Sequence, residues 1–197
     1  MTPAWSDAVV LPGRLVTLRP MVAGDAAALW AAGSDPDLWA VAPRNMLASS
    51  DMEVYVREAL EERDRGVSLP FVVTLTGGGD VIGSTRYGNM SPSNRRLEIG
   101  WTWLAKAWQR TGANTEAKLL LLTRAFEVLE CNRVEFKTDA LNARSRAAIL
   151  RLGAVEEGTL RQHVLTQGGR LRDTVYYSIL RIEWPEVKRR LEEKLAR

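Results

Sequence analysis

The sequence predicts a mixed α/β (α+β) domain, and three observations carry that prediction. Short β-rich runs and helical segments follow one another along the whole chain. No linker rich in Pro, Gly or Ser divides them. The 197 residues are 46% hydrophobic and 26% charged, the balance of a globular unit that buries a full core. We therefore expect a single domain over 1–197, with its core at about 11–183 and a C-terminal helix over 184–196.

The elements follow in order. RLVTLRP (14–20) alternates and stops at a proline, as a strand does. GDAAALWAAG (24–33) is a short helix with Asp25 near its positive end. SSDMEVYVREALEERDRG (49–66) is a longer helix, with Val54, Val56, Ala59 and Leu60 near helical spacing and Gly66 as its stop. LPFVVTL (69–75) and VIGSTRYGNM (81–90) flank a glycine turn as a hairpin, and after the turn SPSN comes the strand RRLEIGWTWL (95–104). A helix is expected after WQRTGAN, to about Glu130. RVEFKTDA (133–140) is a strand, and NARSRAAILRLG (142–153) is a helix with Asn at the cap and Gly at the end. AVEEGTLRQHVL (154–165) and RLRDTVYYSILRI (170–182) form a last hairpin. In WPEVKRRLEEKLAR, Trp184, Val187, Leu191 and Leu195 make one apolar stripe, with Pro185 in the first turn.

Composition narrows the function classes. The net charge is +3, which suits an anionic ligand. The charges are interleaved, as in KRRLEEKLAR, so nucleic acid is not the expected partner. One cysteine, Cys131, and one histidine, His163, cannot build a Cys/His metal site, and no metal is expected. The amino-terminal MTPAWSDAVVLPGR lacks the pattern of a signal peptide, and no apolar run of about 18 residues occurs, so a cytoplasmic protein without membrane partners is expected.

WQRTGAN (108–114) places basic and small polar residues immediately before an apolar helix. The first turn of a helix has N–H groups without partners, the helix dipole adds positive charge there, and a glycine lets a phosphate approach the backbone. An anion site and an ordinary loop-to-helix junction both fit this stretch.

Four pieces in order resolve the choice through a resemblance. Gln109-Arg110-Thr111-Gly112-Ala113-Asn114 is similar to the acetyl-CoA signature Q/R-x-x-G-x-G/A of the GCN5-related N-acetyltransferase (GNAT) superfamily, departing at Asn114. LEIGWTWL (97–104), TDALNARSRAAILRLGAVEEG (138–158) and RDTVYYSIL (172–180) resemble the fourth strand, the T-x-x-x-N-x-x-S segment and the closing strand of the branch that contains RimJ and RimL. The resemblance covers about Leu11 to Trp184. It implies a mostly antiparallel sheet of about seven strands flanked by helices, with the fourth and fifth strands splayed around acetyl-CoA as cosubstrate. It further implies cofactor contacts at Trp103, Leu104, Gln109, Arg110, Thr111, Gly112, Ala113, Asn114, Asn142 and Arg144. Backbone N–H groups from Arg110 to Asn114 would hold the pyrophosphate, and the amide near Leu104 would face the thioester oxygen. Arg110 adds charge to the phosphates or is a solvated surface arginine.

The alternation Leu97, Ile99, Trp101, Trp103 against Glu98, Gly100, Thr102, Leu104 puts a carboxylate in mid-sheet. Glu98 is either the base that deprotonates an amine, directly or through water, or the ion-pair partner of Arg86, Arg95 or another arginine. Ser145 is implied near the leaving thiolate, as a proton donor or merely a positioning group, and Asn142 caps its helix or bonds pantetheine. Trp30, Trp39, Arg86 and His163 are candidate acceptor contacts. Packing is the bland alternative for the two tryptophans, and a structural or surface role for His163, which alternates with Arg161. Trp101, Trp103 and Trp184 fit the core, Asp173 is expected to be structural, paired with Arg172 or Arg161, and Cys131 is not a nucleophile.

The expected function is therefore N-acetyl transfer from acetyl-CoA to a primary amine in a ternary complex. The acceptor is a protein amino terminus, a small amine or antibiotic, or an aminoacyl-nucleotide. A non-catalytic acyl-CoA sensor or partner-binding module on this fold is the alternative. The oligomeric state is left open, with a homodimer among the options.

Overall fold

Strand periodicity is visible from the first elements of the computed structural model, which describes residues 5 and 7–196. The reading of the amino-terminal 14 residues rests partly on residues 1–4 and 6, and the expected domain span of 1–197 also takes in residue 197; these lie outside the described residues. A short β1 (Leu11–Pro12) precedes β2 (Val16–Pro20), in which Val16 and Leu18 are buried and Thr17 and Arg19 are partly exposed. α1 (Ala26–Gly33) and α2 (Ser49–Asp64) follow, then β3 (Leu69–Leu75), buried along nearly its whole length as a central strand covered on both faces. β4 (Val81–Ser91) and β5 (Arg96–Leu104) lead into α3 (Ala113–Thr123). β6 (Arg133–Asp139), α4 (Ala143–Leu152), β7 (Val155–Leu165), β8 (Leu171–Leu180) and α5 (Trp184–Leu195) complete the chain.

The strands form one eight-stranded sheet in the order β1-β2-β3-β4-β5-β6-β8-β7. All neighbours are antiparallel except β5 and β6. The extra strand over the expected seven is the two-residue β1, so the anticipated fourth and fifth strands are β5 and β6. One face packs against α3 and α5 around Leu121, Phe126, Val187 and Leu191. The other lies under α1 and α2, around Leu29, Met52, Val56 and Val72.

Two features of β5 open the sheet. Its parallel ladder with β6 covers only Arg96, Leu97 and Glu98 against Arg133, Val134 and Glu135, and beyond Glu98 the strands part. Against β4, Ser84 pairs with Trp103 but Arg86 with Gly100, so β5 carries one extra residue. Trp101 takes up this bulge at φ 49°.

The bulge corrects the simple alternation. Leu97, Ile99 and Leu104 share the α3 side, whereas Trp103 packs under α1 and α2. Trp101, expected in the core, is 41% exposed. A second bulge breaks the expected Arg161–His163 alternation. Leu160 pairs with Thr174 and Val164 with Arg172, so residues 161–163 stand opposite Asp173 alone. Asp173 accepts the Gln162 N–H at 2.7 Å, a structural role that involves neither Arg172 nor Arg161. The helix expected to reach Glu130 is α-helical only to Thr123 and continues as a π turn, Arg124–Val128, closed by the Leu129 N–H on the Arg124 carbonyl at 2.9 Å.

Candidate active site

The start of α3 presents unpaired donors. Within Arg110–Thr115, only Ala113 spends its N–H on the protein, donating to Thr111 Oγ1 at 3.2 Å. The N–H groups of Arg110, Thr111, Gly112, Asn114 and Thr115 have no partner among the described residues. The Thr111 hydroxyl donates to the Trp108 carbonyl at 2.9 Å and fixes the turn, and Arg110 sits in the left-handed region at φ 62°. This cradle fits a pyrophosphate by the chemistry of its donors. Gly112 matters on the protein side. A Cβ there would come within 2.8 Å of Leu15 Cδ1, so the missing side chain lets the β1–β2 turn and α5 pack beneath the loop.

That packing is locked by a residue the sequence reading passed over. Glu116, buried in α3, accepts the N–H groups of Arg14, Leu15 and Val16 at 2.9, 2.7 and 2.7 Å. A carboxylate on the inward face of a helix was the available signal.

The gap beside β5 receives further polar groups. Ala105 N–H donates to the Ile82 carbonyl at 2.8 Å, so Leu104, one residue back, turns its N–H and C=O away from β4 and toward the opening. Its carbonyl accepts Gln109 Nε2 at 3.0 Å, and Gln109 Oε1 accepts Arg144 Nη1 at 2.9 Å. Gln109 thus joins the end of β5, the α3 loop and α4. Asn142 caps α4, its Oδ1 accepting the Ser145 N–H at 2.9 Å. The Ser145 hydroxyl is partly exposed and has no partner among the described residues.

On the α1–α2 side lies Glu98, 5% exposed. Its ion-pair partner is not an arginine. Lys137 Nζ on β6 stands 2.9 Å from Glu98 Oε2, and Asn89 Nδ2 donates to the same oxygen at 2.6 Å. Arg86 pairs instead with Glu62 at 2.7 Å, and Arg95 lies 4.0 Å from Glu130. Burial draws the Lys137 ammonium down, but Glu98 more than offsets this and its pKa is raised. Lys137 also stands 4.8 Å over the Tyr176 ring, which lies 5.9 Å from His163. His163 therefore reaches the Glu98 side through two intervening groups. Trp39 packs on Trp103 at 5.4 Å and donates Nε1 to the Gly33 carbonyl at 2.7 Å, while Trp30 packs into the same α1–α2 cluster. Arg86, 2% exposed, has no surface to offer an acceptor.

Two other groups stand out. Lys118 on α3 is buried with only hydroxyl partners, Thr102 Oγ1 at 2.6 Å and Thr85 Oγ1 at 3.4 Å, and burial lowers its pKa to about 7. Burial pushes the Cys131 thiol up to about 12. No cluster of three or more His, Cys, Asp or Glu suited to a metal occurs among the described residues, and no helix there is long and apolar enough to cross a membrane.

Known proteins share this fold. The family model for the acetyltransferase (GNAT) domain matches residues 15–155. The chain is 41% identical over 106 residues to the "Putative ribosomal N-acetyltransferase YdaF" of Bacillus subtilis (strain 168), a match that takes in 54% of this chain and only 57% of that protein. A GCN5-related N-acetyltransferase from Brucella melitensis superposes with a TM-score of 0.87 at 28% identity, covering 98% of this chain and 86% of the other. Mycobacterium smegmatis RimJ, in complex with CoA-disulfide, superposes with a TM-score of 0.77 at 27% identity, covering 98% and 97%. With the fold, the open strand pair and the family model in agreement, the chain belongs to the GNAT acetyltransferase family.

Proposed function

We propose that this chain transfers an acetyl group from acetyl-CoA to a primary amine, with both substrates bound at once. The observation that carries the reading is the set of unpaired N–H groups on Arg110, Thr111, Gly112, Asn114 and Thr115, lying next to the opening between β5 and β6. Acetyl-CoA supplies an acyl group already activated as a thioester. The α3 loop holds its pyrophosphate, and Gln109, Arg144 and Asn142 line the approach. The Leu104 N–H is aimed where negative charge gathers as the amine attacks, and a fixed donor of this kind is worth about 3 kcal/mol. Glu98 keeps Oε2 on Lys137 and Asn89, leaving Oε1 to take the amine proton directly or through one water. The new N–C bond forms as the C–S bond breaks, and Ser145 orients the departing sulfur. A protein amino terminus is the first acceptor class to test, because the relative YdaF is named a ribosomal N-acetyltransferase.

Calorimetric titration with acetyl-CoA, using dephospho-CoA and ATP as controls, tests the cofactor site. Thiol release with amino-terminal peptides and small amines tests transfer. Tight acetyl-CoA binding, with amine-dependent thiol release, is expected. Binding without thiol release for any amine argues for an acyl-CoA sensor, and absence of binding overturns the cofactor site.

A further inference from the structure

Trp101 is an anomaly in its strand. It is bulky, holds φ 49°, and is 41% exposed in a strand whose neighbours are mostly buried. Positive φ is rare for a residue of this size, and such conformations cluster at functional sites. The surroundings are built for the ring. It lies against Gly88, where an added Cβ would come within 2.3 Å of it, and Gly88 is the cross-strand partner of Glu98. Behind the ring, the Arg86 guanidinium stands 4.9 Å from its centroid and 5.3 Å from that of Tyr55. Arg86 is 2% exposed and is held at its edge by Glu62.

We propose that the open face of Trp101 is a specificity platform that takes an uncharged planar group of the acceptor, carried on a short tether from the amine that reaches Glu98. The inference rests on the acetyl-transfer reading above and adds what the acceptor must carry. A bare indole face attracts cations. Here the Arg86 guanidinium already engages the π-density from the buried side, with Glu62 offsetting part of its charge, so a second cation on the open face gains less than it would from a bare ring. A neutral aromatic or amide plane carries no such handicap and gains offset stacking. Arg86, expected to touch the acceptor, acts through Trp101 instead.

The test uses the full chain and three primary amines: 2-phenylethylamine, isopentylamine and agmatine. Binding is followed by saturation-transfer NMR and turnover by thiol release from acetyl-CoA. The aromatic amine is expected to exceed the aliphatic one in kcat/KM by about five- to tenfold, with agmatine weakest. Trp101→Leu is expected to remove the preference through KM, with the acetyl-CoA Kd unchanged. Gly88→Ala, which evicts the ring while keeping the tryptophan, should do the same, and Arg86→Met should raise agmatine. Equal KM for aromatic and aliphatic amines in the parent, or a preference that survives Trp101→Leu and Gly88→Ala, overturns the platform. If no amine releases thiol, the transfer reading fails. The NMR arm then still decides the platform, since aromatic binding that is lost in Trp101→Leu supports it and binding that is unchanged overturns it.

Discussion

Glu98 Oε2 lies 2.9 Å from Lys137 Nζ and 2.6 Å from Asn89 Nδ2, so one oxygen of the central carboxylate is committed to the protein while Oε1 points toward Gly100. Glu98→Gln keeps the shape and removes the proton acceptor. We expect kcat/KM to fall by about 100-fold or more, with the acetyl-CoA Kd unchanged. Lys137→Met leaves the carboxylate buried without its counter-ion and is expected to cost about 3 kcal/mol in chemical denaturation. The folded-state pKa of Lys137 is raised, so its stabilising contribution is fully present below the ordinary lysine value and is lost only as pH climbs past the raised one. The pair is therefore expected to hold across the neutral range, and an activity profile limited by its breakage near pH 7 is the contrary result.

The contact beneath Gly112 makes a separable prediction. Gly112→Ala pushes a methyl toward Leu15 Cδ1, at 2.8 Å, and should destabilise the fold by about 1–2 kcal/mol, as overpacking does. Leu15→Ala removes the obstructing atom. The double variant should recover part of the loss, a coupling that a thermodynamic cycle reads directly. Additive losses would show that the cost of the methyl does not come from its contact with Leu15.

Arg110 holds a left-handed backbone that glycine adopts without cost. Arg110→Gly is expected to raise the melting temperature, through relief of about 1 kcal/mol of strain. It should also weaken acetyl-CoA binding, with a shallower salt dependence, because a cation near the phosphates is lost. A Kd that does not move identifies Arg110 as a solvated surface arginine.

Much of this architecture was readable because it follows period and punctuation. LPFVVTL and RVEFKTD reappear within a residue of their expected bounds, and Asn142 and Gly153 bracket α4 as cap residues do. The bulge at Trp101 was not readable, since nothing in EIGWTW marks where an extra residue breaks the two-residue period. That single slip moved Trp101 out of the core and separated Trp103 from Leu97 and Ile99. The partner of Glu98 was also beyond reach, because Lys137 comes from a strand 39 positions later that pairs with β5 only at its start. Glu116 and Lys118, which the sequence reading does not single out, are both turned inward by the packing of α3.

Lys118 gives the last prediction. Its ammonium meets only the Thr102 and Thr85 hydroxyls, themselves 2.8 Å apart, and no charged side chain contributes to its shift. Burial lowers its pKa from 10.5 to about 7. Between those two values the unfolded chain holds a proton that the folded one does not, so stability rises with pH across that window. Below about 7 both states are protonated, and the folded chain carries the full cost of a buried cation. Each tenfold difference in proton affinity is worth about 1.4 kcal/mol, so the slope should stand out in denaturant titrations. Lys118→Met, apolar and of similar length, should be more stable than the parent at pH 6 and lose most of that advantage by pH 10. Because Thr102 sits in the β5 bulge, the same variant tests whether the lysine also holds the strand's shape. A raised KM for the amine in an otherwise stabilised protein would show that the buried charge is kept for geometry rather than for stability.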